Sequence, residues 1–452
     1  MGNSRKRKTR RGRIGKVSYF VHHGAWYVYY REHGVPIRRR VGEDQQAAKR
    51  AAAQINAQLA TAAPTLFAFE PIEIPELQQS FLDHHEHVLR SSLATITRYR
   101  TATQHLVNFS QQGQRRLLAH ELDFDTFVRY LRSLRVGANG HVNTRRRPLR
   151  DKGVRYILET CRSMYGYAAR KRHLPPYGDN PFEGIGRKRF RIEDAKRIFV
   201  FDRQTELKFF QEADPWAFPV FLTLAKTGLR VGEVVHLLVE DVDLDGGWLQ
   251  IRNKVELGWR IKTGQDRSIP LVDELALVLR RVIGTRQVGP VFRRARFAPE
   301  SSIVAAADFD ELAAEVQQRA EAAESQSAEP LTREQVAAIS RRVWREAGGL
   351  RNNLVRLAYV KIMQALNRPQ DTCPKSWRHT FATLLQEANV DPLIRQIVLG
   401  HSPSTYGVGA LGMTTRYSHP RPETIKSEIV RALRLWPEVL DVARHWSQGG
   451  VP

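Results

Sequence analysis

Near the N-terminus, apolar and polar positions alternate over three short runs: Val17-Ser18-Tyr19-Phe20-Val21, Trp26-Tyr27-Val28-Tyr29-Tyr30 and Val35-Pro36-Ile37-Arg38-Arg39-Arg40-Val41. Period-two alternation broken by His23-Gly24 and His33-Gly34 predicts three strands joined by tight turns. The alanine-rich stretch from Glu43 to Leu59 then reads as one helix backing that sheet. Residues 62–74 are rich in Pro and Ala and read as a linker ending at Pro75, a favoured first helical residue.

Beyond Pro75 the period becomes helical. Leu77, Phe81 and Val88 mark one stripe; Ile96, Tyr99, Leu106 and Phe109 a second; Phe124, Phe127, Val128 and Leu131 a third; Val154, Ile157, Leu158 and Cys161 a fourth. Four such helices make a bundle that ends at the helix-breaking run from Leu174 to Pro181. From about Ile198 onward, helices alternate with a few short strands, interrupted by an Ala/Glu/Gln-rich excursion over 297–345. The predicted fold class is therefore multidomain and mainly α with small β-sheets. Its parts are a basic tail and sheet unit (1–61), a linker (62–74), a helical domain (75–180) and a larger α+β domain (181–452) carrying the inserted segment.

Charge changes this picture. Lys and Arg total 71 against 47 Asp and Glu, a formal net of +24, the balance of a polyanion-binding protein. The first fifty residues hold 14 basic and 3 acidic side chains, nearly half of the excess. A small sheet is compatible with a DNA major groove, and Arg38, Arg39 and Arg40 are the candidate contacts. Arg145, Arg146 and Arg147 are candidates in the helical domain, as phosphate contacts or a solvated face. Two distant cysteines, Cys161 and Cys373, exclude a disulfide framework and a cysteine zinc site. His84, His85 and His87 lie together on one predicted helix, but without cysteine partners they read as a polar face, and neither metal nor cofactor is expected. No run reaches the roughly 18 apolar residues of a membrane span, and no signal peptide is recognisable, so a cytoplasmic, DNA-associated protein is expected.

The candidate chemistry lies in the last domain. In Thr227-Gly228-Leu229-Arg230-Val231-Gly232-Glu233, Gly228 suits a left-handed helix cap and Arg230 opens the next turn, with Glu233 three residues on to hold it. A hairpin-like region runs from Trp248-Leu249-Gln250-Ile251 to Trp259-Arg260-Ile261-Lys262, placing Lys262 at a ribbon tip where it could protonate a leaving oxygen; Lys254 competes for that role. Further on stand Lys375-Ser376-Trp377-Arg378-His379, then Leu399-Gly400-His401, then Thr415-Arg416-Tyr417-Ser418-His419.

Arginines, lysines, a histidine and a tyrosine in this order resemble the tyrosine recombinase, or phage integrase, family. That catalytic domain carries Arg, Lys, His-x-x-Arg, a further His or Trp, and a nucleophilic Tyr. The resemblance covers about residues 198–446; residues 75–180 are similar to the family's core-site-binding domain, and 14–61, more weakly, to its arm-site-binding domain. It implies that Arg230 and Arg378 clamp the scissile phosphate, Lys262 protonates the 5′-oxygen and His401 hydrogen-bonds the phosphate. Tyr417 would form a 3′-phosphotyrosyl bond, with Glu233 and His379 in support. Lys375 stands where the family usually has His. From His401 to Tyr417 is 16 positions where the family has about nine, a glycine-rich extension that makes Tyr406 a rival nucleophile. Ile425, Ile429, Leu433 and Trp436 would form a helix docked on an adjacent protomer or on its own domain, and 297–345 would contact neighbouring protomers or a helper protein.

The implied function is site-specific DNA recombination for a phage or mobile element, by a homotetramer on double-stranded attachment sites, with a DNA-bending protein or excisionase as accessory. The alternatives are a type IB-like topoisomerase and a catalytically silent DNA-binding repressor. A metal nuclease is disfavoured, because the motifs are basic and no carboxylate cluster stands out.

Overall fold

The computed structural model describes residues 11–32, 35–61, 69–113, 116–137, 145–176, 180–183, 192–194, 197–298, 304, 307–327, 329–401 and 419–449. The chain divides into two compact units, residues 1–196 and 197–452.

The first unit opens with an antiparallel meander of four strands rather than three: β1 (Arg11–Ile14), β2 (Val17–His22), β3 (Ala25–Glu32) and β4 (Val35–Gly42), in that order. The additional strand lies in what reads by charge as a tail. Only Ile14 of its four residues is apolar, so it shows no alternation to read. A two-residue turn at Gly15-Lys16, with Gly15 at φ +54°, folds it onto β2. Val17, Val28, Tyr30, Ile37 and Val41 face helix α1 (Gln45–Ala60), which buries Ala51, Ala52 and Ile55 against them. Asp44 caps that helix by accepting from the N–H groups of Gln46 and Ala47.

The same unit holds the bundle α2 (Ile74–Asp83), α3 (Leu93–Ser110), α4 (Phe124–Ser133) and α5 (Asp151–Arg170). Its core gathers Leu77, Phe81, Ile96, Leu106, Phe127, Leu131, Val154, Leu158 and Cys161, members of all four sequence stripes. Val88 is the exception. At His84 the helix widens into a π-turn (His84–Val88), and Val88 is left 67% exposed. His85 packs edge-on against Phe81 and Tyr99 and hydrogen-bonds the Ser91 hydroxyl. Among the described residues, no group of three His, Cys, Asp or Glu is placed to hold a metal ion.

The second unit is built on α6 (Arg203–Gln211), α7 (Ala217–Thr227), α8 (Val231–Val235), a three-stranded sheet of β7 (Val242–Asp243), β8 (Trp248–Ile251) and β9 (Arg267–Pro270), and α9 (Asp273–Ile283). The inserted segment forms α10 (Phe309–Glu324) and α11 (Arg333–Glu346), each opened by a reciprocal capping box, Asp308 with Glu311 and Thr332 with Gln335. Then come α12 (Asn352–Ala365), α13 (Ser376–Glu387), α14 (Pro392–Leu399), α15 (Pro422–Leu433) and α16 (Glu438–Ser447).

One core runs through this unit. Trp377 is fully buried and stacks face to face on Phe201, ring centroids 3.8 Å apart. Ile429 and Leu433 are buried in the same core, with Ile425 and Trp436 packed against it, so the C-terminal helix predicted by their spacing docks within its own unit. The expected hairpin partner of β8 differs: β8 pairs with β9, and Trp259 only bridges back to Lys254 to close a tight turn. Residues 252–266 thus form a long double turn between two strands. Among the described residues, no helix is long and apolar enough to cross a membrane.

Candidate functional site

Helix α7 ends at Gly228, which adopts the left-handed conformation (φ +64°); a Cβ there would fall 2.3 Å from the Phe381 ring. Only glycine fits both the backbone and the space. The chain leaves this cap extended at Arg230 and re-enters helix α8. Glu233, in the first turn of α8, folds back: Arg230 donates its backbone N–H to Oε2 and its Nη1 to Oε1, each at 2.8 Å.

Glu233 has a second partner that sequence reasoning missed. Arg267, at the start of β9, donates Nη2 to Oε2 at 2.8 Å and Nη1 to Oε1 at 3.2 Å, while its Nε donates to the Val398 carbonyl at 3.0 Å. The signal was its register with buried Ile269 two residues on, which turns an arginine inward along a strand. Glu233 is 2% exposed. Burial pushes its carboxyl up, but the hydrogen bonds and charge of Arg267, with those of Arg230, outweigh this and hold it below the usual range.

Arg378, in the first turn of α13, is 5% exposed, and its fork is fixed by two main-chain carbonyls. Nη1 donates to Gly228 O at 2.9 Å and Nη2 donates to Leu399 O. Both acceptors lie at helix C-termini, the negative ends of the α7 and α14 dipoles. Burial and the nearby Arg230 pull its pKa down to about 10. Just past α14, Gly400 turns left-handed, and a Cβ there would meet the Arg267 guanidinium at 2.9 Å. This turn delivers His401, whose pKa is lowered by burial and then by the positive fields of Arg378, Arg230, Arg267 and Lys375. His379 is lowered by burial, Lys375 and Arg378. Lys375 itself is exposed at the head of α13.

The structure therefore brings Arg230, Glu233, Lys375, Arg378, His379 and His401 together, and adds Arg267. It does not bring Lys262 into contact with them. Lys262 is exposed on the second turn of the 252–266 connection, without an ion pair among the described residues. Lys254 is separated from it clearly: its Nζ lies 2.8 Å from Asp241 Oδ2, and both side chains are at most 3% exposed. That lysine is a buried structural partner. Tyr406 and Tyr417 lie outside the described residues. Among the described residues, one carboxylate among so many cations leaves the site electropositive and shaped for an anion with several oxygens.

The phage integrase family matches residues 191–423, about half of the chain and all of this cluster. The chain belongs to that family. It is thus a tyrosine recombinase by family, with the α+β catalytic fold described above. No curated protein sequence matches it. Among solved structures it is similar to the Tn1549 transposon integrase in complex with transposon right end DNA, at 15% identity and a TM-score of 0.49, covering 80% of this chain and 100% of that one. It is also similar to a lambda integrase dimer bound to a COC′ core site (15%, TM-score 0.41, 89% and 96% covered) and to a lambda integrase tetramer bound to a Holliday junction (15%, TM-score 0.40, 86% and 96%).

Proposed function

We propose that this integrase-family enzyme is a site-specific DNA recombinase that cleaves and rejoins strands through a 3′-phosphotyrosyl intermediate on Tyr417, serving integration or excision of a phage or mobile element. The observation that carries the reading is the convergence of Arg230, Arg378 and His401 around Glu233, the one carboxylate of the cluster among the described residues. Arg230 and Arg378 take the non-bridging oxygens of the scissile phosphate, since a guanidinium fork matches phosphate geometry and keeps its charge. Tyr417 Oη attacks phosphorus as its own proton passes to solvent, the P–O5′ bond breaks, and Lys262 gives a proton to the departing 5′-oxygen. His401, its pKa lowered by burial and then by the surrounding cations, hydrogen-bonds the phosphate, and Lys375 adds a donor. The phosphotyrosyl bond stores the energy for resealing, so no nucleotide cofactor is called for.

The N-terminal sheet and the bundle supply DNA contacts. On the sheet face turned away from α1, Arg38 lies over the rings of Phe20 (5.0 Å) and Tyr27 (4.9 Å), and Arg40 pairs with Tyr27. Arg39 alternates onto the helix side and is a weaker candidate. Arg145 and Arg146, both exposed, and Arg147 ahead of α5 serve phosphates of the core site. Four protomers on two attachment sites, with a bending protein or excisionase, would complete the reaction.

The test is recovery of covalent complexes from cells carrying the native locus, under denaturing conditions, with sequencing of the attached DNA ends. One discrete junction is expected. Scattered ends point to a topoisomerase, and binding without any covalent product to a repressor.

A further inference from the structure

The inserted helices pack on the catalytic unit at Leu238, which shares their apolar cluster, and at the double turn that carries Lys262. Leu257, in the first of the two turns, is 4% exposed and belongs to the same apolar cluster as Val343 and Trp344 of α11 and Leu312 and Val316 of α10. Next to it the backbone touches α11 closely: Gly258 is left-handed (φ +71°), and a Cβ there would lie 3.1 Å from Ser340 Cβ. One residue further, Trp259 stacks on His236 (centroids 4.9 Å, planes 17° apart), and His236 stacks in turn on Trp344 (5.1 Å, 28°). His236 closes helix α8, the helix that Arg230 opens, and its Nδ1 is 2.7 Å from Gly232 O.

The second turn is built directly on the first. Ile261 is buried in the main core and donates its N–H to Asn253 Oδ1 at 2.9 Å. Asn253 Nδ2 donates to Gly264 O at 2.9 Å, so Lys262 is the exposed member of a loop pinned on both sides. Lysine carries a flexible four-carbon stem, and the position of its ammonium is set by how firmly its backbone is held.

Resting on the reading of Lys262 as the general acid, we propose that Trp344 of the inserted segment is a positioning residue for Lys262, clamping the 254–259 turn through the Trp344–His236–Trp259 stack. The insertion then acts in cis on the chemical step. Trp344 touches no reacting atom. Its effect is read at protonation of the leaving 5′-oxygen.

The experiment uses the full-length protein and a synthetic duplex of the junction sequence recovered from the covalent complexes. A second duplex has sulfur in place of the bridging 5′-oxygen at the scissile phosphate; a thiolate departs without being protonated, so the acid becomes dispensable. Trp344→Leu stays apolar but removes the flat face, together with part of the volume and the Nε1–H bond to the Leu350 carbonyl. It should slow covalent adduct formation about tenfold or more on the oxygen duplex and stay within about twofold of wild type on the sulfur duplex, with unchanged DNA affinity. Trp344→Phe, which retains a ring, should be close to wild type on both, and Lys262→Ala should show the Trp344→Leu pattern more strongly. Equal slowing of Trp344→Leu on both duplexes, or no slowing on either, overturns the inference while leaving Lys262 as the acid. If Lys262→Ala is not rescued by sulfur, the reading of Lys262 falls, and the inference with it.

Discussion

Replacing Glu233 by glutamine removes one charge from a site built around it. Four N–H groups converge on its two oxygens: the Arg230 backbone, Arg230 Nη1, and Arg267 Nη1 and Nη2, at 2.8–3.2 Å. A glutamine keeps one acceptor and turns an NH2 toward donors, leaving Arg267, itself only 6% exposed, without its counter-ion. Breaking a buried pair from one side costs about 3–5 kcal/mol, and the retained oxygen argues for the low end, about 3. For a unit of this size that corresponds to a fall of roughly 6–12 °C in unfolding temperature, read by circular dichroism at neutral pH. The sign with pH follows from the lowered carboxyl pKa. The stabilisation is present above the unfolded carboxyl value and is lost as pH falls through the lower folded one, so wild type and Glu233→Gln should converge only at pH below the ordinary glutamate range. An additional Arg267→Gln change should cost less than the sum of the two single changes, because they share one interaction. An unfolding temperature within about 1 °C of wild type would refute the reasoning.

The two lysines of the 252–266 connection should separate cleanly. Lys254→Met removes the buried ammonium from Asp241 Oδ2 and leaves that carboxylate to its ion pair with Arg252; it should cost about 2 kcal/mol in chemical denaturation, whereas Lys262→Met should leave stability unchanged and reduce covalent cleavage. The His236 imidazole, pushed down to about 4 by burial, is neutral when folded and must be protonated on acid unfolding. Stability should therefore fall by roughly 3 kcal/mol between pH 6.5 and 4, and His236→Asn should lose that part of the pH dependence. On the N-terminal sheet, Arg38→Ala should weaken binding to arm-type DNA and reduce the salt slope by about one, while Arg39→Ala stays within about twofold of wild type, both read by fluorescence anisotropy across a salt series.

Much of this architecture is legible in the order of apolar residues, because periodicity survives wherever one face is buried. The four stripes of the bundle and the alternation of β2 to β4 are of this kind. Strand β1 is not, since Arg-Gly-Arg-Ile shows one apolar residue and its pairing is decided by the Gly15 turn. Gly228 and Glu233 were readable because capping is local. Arg267 was not singled out, since its partners Glu233 and Val398 lie 34 and 131 positions away and no short motif encodes them. The same distance problem left Lys254 and Lys262 as rivals until the buried Asp241 distinguished them. In the insertion, the sparse apolar residues are enough because they gather in one small cluster around Leu257 and Trp344, a grouping visible only in three dimensions.

The central claim is that this family member breaks DNA with Tyr417, and it is tested most directly by comparing single phenylalanine substitutions on one duplex carrying the recovered junction. Wild type and Tyr406→Phe should each form a covalent protein–DNA adduct on a denaturing gel, while Tyr417→Phe binds the same duplex and forms none. An adduct that persists in Tyr417→Phe and disappears in Tyr406→Phe would contradict the assignment of the nucleophile.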